Sequence, residues 1–400
     1  MKRMHAMTRW TQGVLVVLAC ALAMQAGAPE REVVSTALGS ASRGPLGDHY
    51  LLLVSSVKAS TYTPEKLRLF DQSSYDGVVA SFVAPNDSGP IPSAEEMTAK
   101  MREWRKYTKK DFWPWLYFSR MVTHDPSYKS PSANDPYFLR IAGADLENVS
   151  GAQKDFLETW KNCLKAAREV KTPGIVLDPE FYLNYKAYDI AVLAKQARKS
   201  TAETVELLRR VGAKMADIAD QEYPNAVLWM LATDLGQPSF TVVDHVGYYP
   251  SPAYVFLGML DEIQQKNFSG LRVISGGEVG LGYCSLSAAD LQRKIAERAK
   301  EFHAALQKYP DILELGGTTI LWRDRTLKTD FMTEGVCGKC DADSVEDLQP
   351  YLELLLKSYR YNWIYGTYNA GYDPFHPRSA PRFDAMIGKA KQHAYSSGVN

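Results

Sequence analysis

Residues 174–182 read Gly-Ile-Val-Leu-Asp-Pro-Glu-Phe-Tyr, a short apolar run that passes directly into two carboxylates. The run follows an amphipathic stretch at 154–170, in which apolar residues recur with the period of a helix. A strand that is apolar on both faces is typical of a parallel sheet covered by helices. The segment therefore predicts a buried parallel strand whose carboxyl end leads into a functional loop.

The same unit of apolar run and helical stretch recurs along the chain after residue 48. The eight apolar runs lie at 50–57, 77–83, 112–121, 174–181, 226–232, 271–275, 318–322 and 361–365. Helical patterns lie between them at 95–109, 154–170, 202–219, 345–359 and 381–393, with a further apolar stripe formed by Leu291, Ile295, Phe302 and Leu306. Eight such units predict an α/β fold, a single-domain (β/α)8 TIM barrel over residues 49–395. The polar stretch 123–150 is then an insertion after strand three, on the face where barrel enzymes place their active sites.

The first 28 residues have the layout of a secretory signal peptide. Basic residues at the start precede an apolar run at 14–24, and small residues follow at 26–28. We expect residues 29–48 to form a lead-in to the barrel. The run is short for a membrane span, so the sequence predicts a secreted or periplasmic protein with no integral membrane span. The residues before Cys20 resemble a lipoprotein box, which leaves a lipid-anchored form as an alternative.

Four cysteines follow the predicted signal peptide. Because export exposes them to an oxidising compartment, we expect a disulfide among Cys284, Cys337 and Cys340. Half a zinc site at the last two is the less favoured alternative, since a second close pair is absent from the sequence. Cys163 lies in a helical pattern and is expected to be buried.

Composition and motifs exclude several functional classes. Lys plus Arg and Asp plus Glu both number 46, so no net charge attracts nucleic acid, and a nucleic-acid partner is not expected. The sequence contains no G-x-G-x-x-G turn after the first strand, no Walker loop and no G-x-S-x-G elbow. The seven histidines are scattered, which disfavours a metal-dependent hydrolase, and no metal or other cofactor is predicted. The oligomeric state stays open.

Carboxylates at the predicted strand ends are the candidate catalytic residues, because barrel enzymes place their reacting groups there. Asp178 and Glu180 are two residues apart, so on a strand they point the same way. Close like charges raise one pKa, and a carboxyl that stays protonated serves as a general acid. Glu278, after two glycines that follow strand six, is the third catalytic candidate, as nucleophile or base. A structural ion pair or a calcium ligand set is the alternative reading of Asp178 and Glu180. Asp324, after strand seven, is another candidate for the later carboxylate, and the arginines on both sides of it make a salt bridge its alternative reading.

Aromatic residues recur at or beyond the ends of at least four predicted strands. Sugars present flat apolar faces that stack on such rings, and hydroxyls that hydrogen bond to polar side chains. Taken singly, each of these rings is better explained by core packing than by sugar binding, since Trp and Tyr are buried on average, and it is their recurrence that favours a binding role. The candidate substrate-binding residues are Trp115, Tyr117, Tyr182, Trp229, Asp234, Tyr248, Trp322, Trp363 and Tyr365.

Asp178-Pro-Glu180 resembles the terminal D-x-E of the family 18 glycoside hydrolases, the chitinases and their relatives. The resemblance implies that Glu180 protonates the departing sugar oxygen and that Asp178 orients the acetamido group of the substrate. It also implies that Trp363, in strand eight, forms the floor of the sugar pocket, with Tyr283 as a loose counterpart of an aromatic after strand six. The longer D-x-x-D-x-D-x-E pattern of that family is not complete here, because residues 173 and 176 are proline and valine.

The sequence therefore predicts a secreted glycoside hydrolase that cleaves glycosidic bonds of a polysaccharide or glycan by carboxylate acid/base catalysis. Two carboxylates suffice for this chemistry, so no cofactor is needed. The alternatives are a non-catalytic carbohydrate-binding barrel, such as a surface glycan receptor, and a polysaccharide lyase or deacetylase on the same scaffold. A fold hosts many functions, so the choice between them belongs to the site and its chemistry.

Overall fold

A computed structural model of the chain describes residues 49–83, 92–118, 152–179, 189–232, 250–282, 287–320, 346–366, 375 and 380–396. Within these ranges, eight parallel strands pair in chain order, and the last pairs with the first to close a barrel. The strands are β1 (Tyr50–Lys58), β2 (Gly77–Ser81), β3 (Asp111–Tyr117), β4 (Gly174–Asp178), β5 (Val227–Met230), β6 (Arg272–Ser275), β7 (Leu313–Ile320) and β8 (Tyr361–Tyr365). The predicted (β/α)8 TIM barrel is confirmed.

Helices occupy the connections between the strands. They are α1 (Pro64–Gln72), α2 (Ala94–Arg105), α3 (Ala152–Val170), α4 (Ile190–Ala197), α5 (Thr201–Glu222), α6 (Pro250–Lys266), α7 (Glu278–Leu281), α8 (Ala288–Glu301), α9 (His303–Lys308), α10 (Gln349–Ser358) and α11 (Ala380–Ser396). Short 3-10 helices lie at Ala59–Thr61 and Glu346–Leu348. Capping boxes at Ser93 and Ser200 fix the starts of α2 and α5, because each serine and the glutamate three residues later satisfy each other's backbone N–H groups.

The structure differs from the sequence prediction at several elements, and it includes two short helices, α4 and α7, that were not predicted. Strand β7 begins at Leu313, five residues earlier than predicted, because Glu314 and two glycines interrupt its apolar pattern. The helical stripe from Leu291 onward is two helices, α8 and α9, which meet at Phe302. Helix α6 was not predicted, because its first eleven residues are all buried and so show no amphipathic period.

Strand residues divide into two apolar layers. One layer faces outward and packs under the helices. The other fills the barrel and is rich in aromatic rings, and it consists of Tyr50, Leu52, Val54, Val79, Trp113, Trp115, Tyr117, Val176, Val227, Trp229, Leu231, Ile274, Tyr361 and Trp363. Alternate residues along each strand belong to alternate layers, as the pleat of a sheet requires.

Helices α5 and α6 cross in close contact through two glycines. A Cβ at Gly212 would overlap the carbonyl oxygen of Val255, and a Cβ at Gly258 would overlap the carbonyl oxygen of Arg209. The absence of a side chain at both positions lets the two backbones touch. This contact fixes the helices that follow β4 and β5.

Several sequence predictions lie wholly or partly outside the described residues. Cys163 is buried and unpaired, as expected, whereas Cys284, Cys337 and Cys340 lie outside those ranges, so their disulfide stays a prediction. The predicted signal peptide, the lead-in and the insertion at 123–150 lie outside them as well. In the part of the chain that the structure describes, no helix combines the length and the apolarity that crossing a bilayer requires.

Candidate active site

Asp178 is the last residue of β4 and lies at the carboxyl end of the barrel strands. Its register partner on β3 is Tyr117, a member of the layer that fills the barrel, so the carboxylate shares that inward side. The residue is 3% exposed. Trp115 Nε1 donates a hydrogen bond to Asp178 Oδ2 at 3.2 Å, which compensates part of the free-energy cost of burying the carboxylate.

Two aromatic rings line the barrel beside this carboxylate. Trp115 and Tyr117 stand two residues apart on β3, and their rings stack with centroids 4.7 Å apart and planes 25° from parallel. They follow from the sequence Trp-Pro-Trp-Leu-Tyr, in which alternate aromatics point to one face of the strand. The carboxylate thus has an apolar aromatic wall on its β3 side, and all three residues are buried.

Glu278 lies at the same end of the barrel, two strands away. It begins α7 after the glycine pair that follows β6, and its backbone N–H donates to the carbonyl of Leu231 at 3.3 Å. The N–H of Leu231 in turn donates to the carbonyl of Leu177 at 3.0 Å. Neighbouring strands lie ~4.8 Å apart, so the backbones that carry Asp178 and Glu278 are about 10 Å apart.

The conformation before Glu278 requires glycine at position 277. Gly277 has φ of 88°, in the left-handed region that side chains rarely adopt. A Cβ there would also lie 2.6 Å from the carbonyl oxygen of Gly316 on β7. The turn thus packs closely against β7. Glu278 follows it and is half-buried at the rim of the barrel.

Trp229 and Trp363 lie inside the barrel. Trp229 is fully buried, and its ring contacts those of Trp113, Tyr50 and Tyr361, with centroids 5.6, 6.3 and 5.9 Å away. Trp363 is 1% exposed. Both rings are therefore enclosed by protein in this structure. Such enclosure is expected if these residues pack the core and do not bind a sugar.

Trp363 also connects β8 to the turn before Glu278. Its Nε1 donates to the carbonyl of Gly276 at 2.7 Å. The neighbouring Tyr365 is half-buried, and its ring meets the Trp363 ring edge-on at 6.5 Å. Tyr365 is the more accessible of the two candidate binding residues on β8.

The remaining candidates lie outside the described residues, so their places in the site stay predictions. They include the proposed acid Glu180, the alternative carboxylate Asp324 and the binding candidates Tyr182, Asp234, Tyr248, Trp322 and Tyr283. Among the residues that are described, His, Cys, Asp and Glu side chains do not gather in groups of three that one metal ion can join.

Two buried polar residues near the site were missed in the sequence. Arg298 on α8 stands on the apolar stripe between Ile295 and Phe302, and a charged residue on such a stripe is the signal that identifies it. Thr318 on β7 pairs in register with Trp363 and so faces the barrel interior. Its hydroxyl is buried and has no hydrogen-bond partner among the residues that the structure describes. A threonine within an apolar strand gives no comparable signal.

Carboxyls with raised pKa values also lie at the opposite end of the barrel. Asp111 begins β3, where burial raises its pKa, while the Tyr50 hydroxyl, which donates to it at 3.1 Å, and the Arg105 guanidinium oppose the shift. Glu314, near the start of β7, has its pKa raised by burial against the opposing effect of two arginines. These groups lie at the amino ends of their strands, away from the rim that carries Asp178, and we assign them to stability.

Comparisons with known proteins give only distant likenesses. No family model and no curated protein matches the chain. Among solved structures, a Bacteroidetes-affiliated GH5 cellulase aligns with 92% of this chain and 97% of its own, at 10% identity and a TM-score of 0.46. An Escherichia coli 3-keto-D-glucoside 4-epimerase aligns with 85% of this chain and 98% of its own, at 12% identity and a TM-score of 0.41. A GH18 chitinase from Flavobacterium johnsoniae aligns with 84% of this chain and 93% of its own, at 12% identity and a TM-score of 0.37. At such values the likenesses assign no reaction.

Proposed function

We propose that the chain is a glycoside hydrolase that cleaves glycosidic bonds of a polysaccharide or glycan at the carboxyl end of its barrel. The observation that carries the proposal is the buried carboxylate of Asp178, bonded to Trp115 and set beside the Trp115–Tyr117 ring stack. Burying a carboxylate costs free energy, and a packed barrel interior does not require one. Next to an aromatic wall, the carboxylate supplies the polar half of a sugar site.

The proposed roles rest on the positions of the carboxylates after strands four and six in the sequence and on the resemblance of Asp178-Pro-Glu180 to the family 18 motif. Glu180, two residues beyond Asp178, protonates the leaving oxygen. Asp178 stabilises the positive charge that develops at the sugar carbon, or places the nucleophile. Glu278, on the rim two strands away, acts as nucleophile or base. Trp115 and Tyr117 bind the apolar face of the sugar. The reaction requires no cofactor.

The proposal is tested by screening the protein against a panel of polysaccharides, with new reducing ends as the readout. The variants are Glu180→Gln and Asp178→Asn, which keep side-chain shape and remove the charge. Glu297→Gln, on the exposed face of α8, is the matched control. General acid–base groups contribute about 10²–10⁴-fold to rate, so we expect turnover to fall by that factor in Glu180→Gln while glycan binding persists.

Each other outcome of the screen would indicate a different function. Glycan binding without new reducing ends in the wild type would make the barrel a carbohydrate receptor. An unsaturated product that absorbs in the ultraviolet would make it a lyase, and acetate release without shorter chains would make it a deacetylase. Unchanged turnover in Glu180→Gln would remove Glu180 from the mechanism.

We also propose that the protein is exported and that residues 1–28 are removed. The basic, apolar and small segments in that order support this. Mass spectrometry of the mature protein tests it, since a free amino terminus near residue 29 and a lipid-modified Cys20 give different masses. A mature chain that retains residues 1–28 without a lipid contradicts both forms.

A further inference from the structure

Arg298 is a buried cation whose two terminal nitrogens donate hydrogen bonds to neutral oxygens of the barrel. The residue is 1% exposed on α8. Its Nη1 donates to the carbonyl of Gly316 on β7 at 2.8 Å. Its Nη2 donates to the carbonyl and the hydroxyl of Ser275, the last residue of β6, at 2.8 and 3.0 Å. The guanidinium therefore joins two neighbouring strands at once.

Two aromatic rings enclose the same guanidinium. Arg298 Cζ lies 5.1 Å from the ring centroid of Phe302 and 5.5 Å from that of Tyr359. Such cation–π contacts offset part of the desolvation cost of the buried charge. An aliphatic side chain would pack this stripe of α8 without that cost. Core packing alone thus does not account for an arginine here.

The guanidinium lies directly beneath the turn that carries Glu278. A Cβ at Gly277 would stand 3.3 Å from Arg298 Nη1, and a Cβ at Gly280 would stand 3.3 Å from Arg298 Cδ. Both glycines also have positive φ, 88° and 95°, and a side chain at either position would crowd Arg298. Arg298 donates to Ser275, the residue just before the turn, and Trp363 donates to the carbonyl of Gly276, the first residue of the turn.

We propose that Arg298 is a positioning residue, which fixes the turn between β6 and α7 and through it the carboxylate of Glu278. The inference rests on the proposed function, because it takes Glu278 to act in the reaction. Arginine suits the task, since its planar fork donates to two strands in one fixed geometry and lysine presents a single point charge. Misplacing a reacting group by about 1 Å costs about 100-fold in rate.

The test compares Arg298→Met and Arg298→Lys with Arg293→Met, an exposed position on the same helix. The first readout is hydrogen exchange of the turn at residues 276–282 and, separately, of β1 to β5. We expect faster exchange of the turn alone in Arg298→Met. The second readout is kcat and KM on the polysaccharide that the wild type cleaves. We expect kcat to fall about 100-fold with KM nearly unchanged, and Arg298→Lys to give an intermediate value of kcat.

The two readouts separate the failure of this inference from the failure of the proposed function. If the wild type cleaves no glycan, the proposed function fails, and the exchange of the turn alone decides whether Arg298 holds it. Equal exchange and equal kcat in Arg298→Met and Arg293→Met would overturn the positioning role. Faster exchange throughout the barrel would overturn it too, because it indicates general structural support. If Arg298→Met does not fold, Arg298→Lys is judged by the same criteria.

Discussion

Replacing Gly212 by alanine distinguishes two opposing effects on stability, the steric overlap at the close crossing of α5 and α6 and the helix propensity of alanine. Alanine is about 1 kcal/mol more favourable than glycine within a helix, so propensity alone predicts a more stable protein. At Gly212, however, the added Cβ would overlap the carbonyl oxygen of Val255 and lie 2.8 Å from the backbone nitrogen of Met259. Backbone atoms of α6 cannot rotate away as a side chain can. The two helices have to move apart.

The size of the effect follows from that separation. A gap of 0.5–1 Å forfeits about a quarter to a half of the dispersion energy of the atoms that face it, and overpacking of this kind costs about 1–3 kcal/mol. Here the whole contact face of α5 and α6 is affected, so we take about 3 kcal/mol. After the gain of about 1 kcal/mol in propensity, Gly212→Ala should lower the free energy of unfolding by about 2 kcal/mol.

Gly388→Ala on α11 is the matched control. The nearest atom to a Cβ at Gly388 is the Ser74 hydroxyl oxygen, 3.5 Å away, which is ordinary contact. The same substitution should therefore raise the free energy of unfolding there by up to about 1 kcal/mol. Urea unfolding followed by far-ultraviolet circular dichroism measures both variants against the wild type. A Gly212→Ala protein as stable as Gly388→Ala would refute the reasoning.

Two further predictions concern buried titratable groups. Burial raises the pKa of Asp111 above its ordinary value of 3.8, so its favourable contribution is complete below that pH and is lost as pH rises through the folded-state pKa. In urea unfolding, the wild type should therefore lose more stability than Asp111→Asn as the pH rises above about 4, and parallel curves would contradict this. Burial also raises the pKa of the Cys163 thiol, so iodoacetamide should label Cys163 only after unfolding, as peptide mass spectrometry will show. Labelling in the native protein would indicate that α3 opens.

The recurrence of apolar runs and helical stripes predicted the barrel, because burial on both faces of a parallel sheet leaves a pattern in each strand. The boundaries were less well predicted where that pattern is interrupted. Glycines within β7 hid its first half, and the uniform burial of α6 removed the amphipathic period that identifies a helix. The missed start of β7 and the missed helix α6 have one cause. Periodicity identifies an element only when one of its faces is apolar and the other polar, and these two elements show little such contrast.

For the site, the sequence determined which carboxylates follow which strands, and the alternation along β3 placed Trp115 and Tyr117 on one face. The tertiary structure decided what those residues meet. The bond from Trp115 to Asp178 joins β3 to β4, and the backbone of Glu278 is tied to β5. The hydrogen bonds from Arg298 to β6 and β7 depend on where α8 packs against the barrel. These contacts join residues that are far apart in the chain. Local sequence pattern shows only which face of its strand or helix a residue occupies. The partners of that residue come from other strands and helices, and they meet it only when the barrel closes.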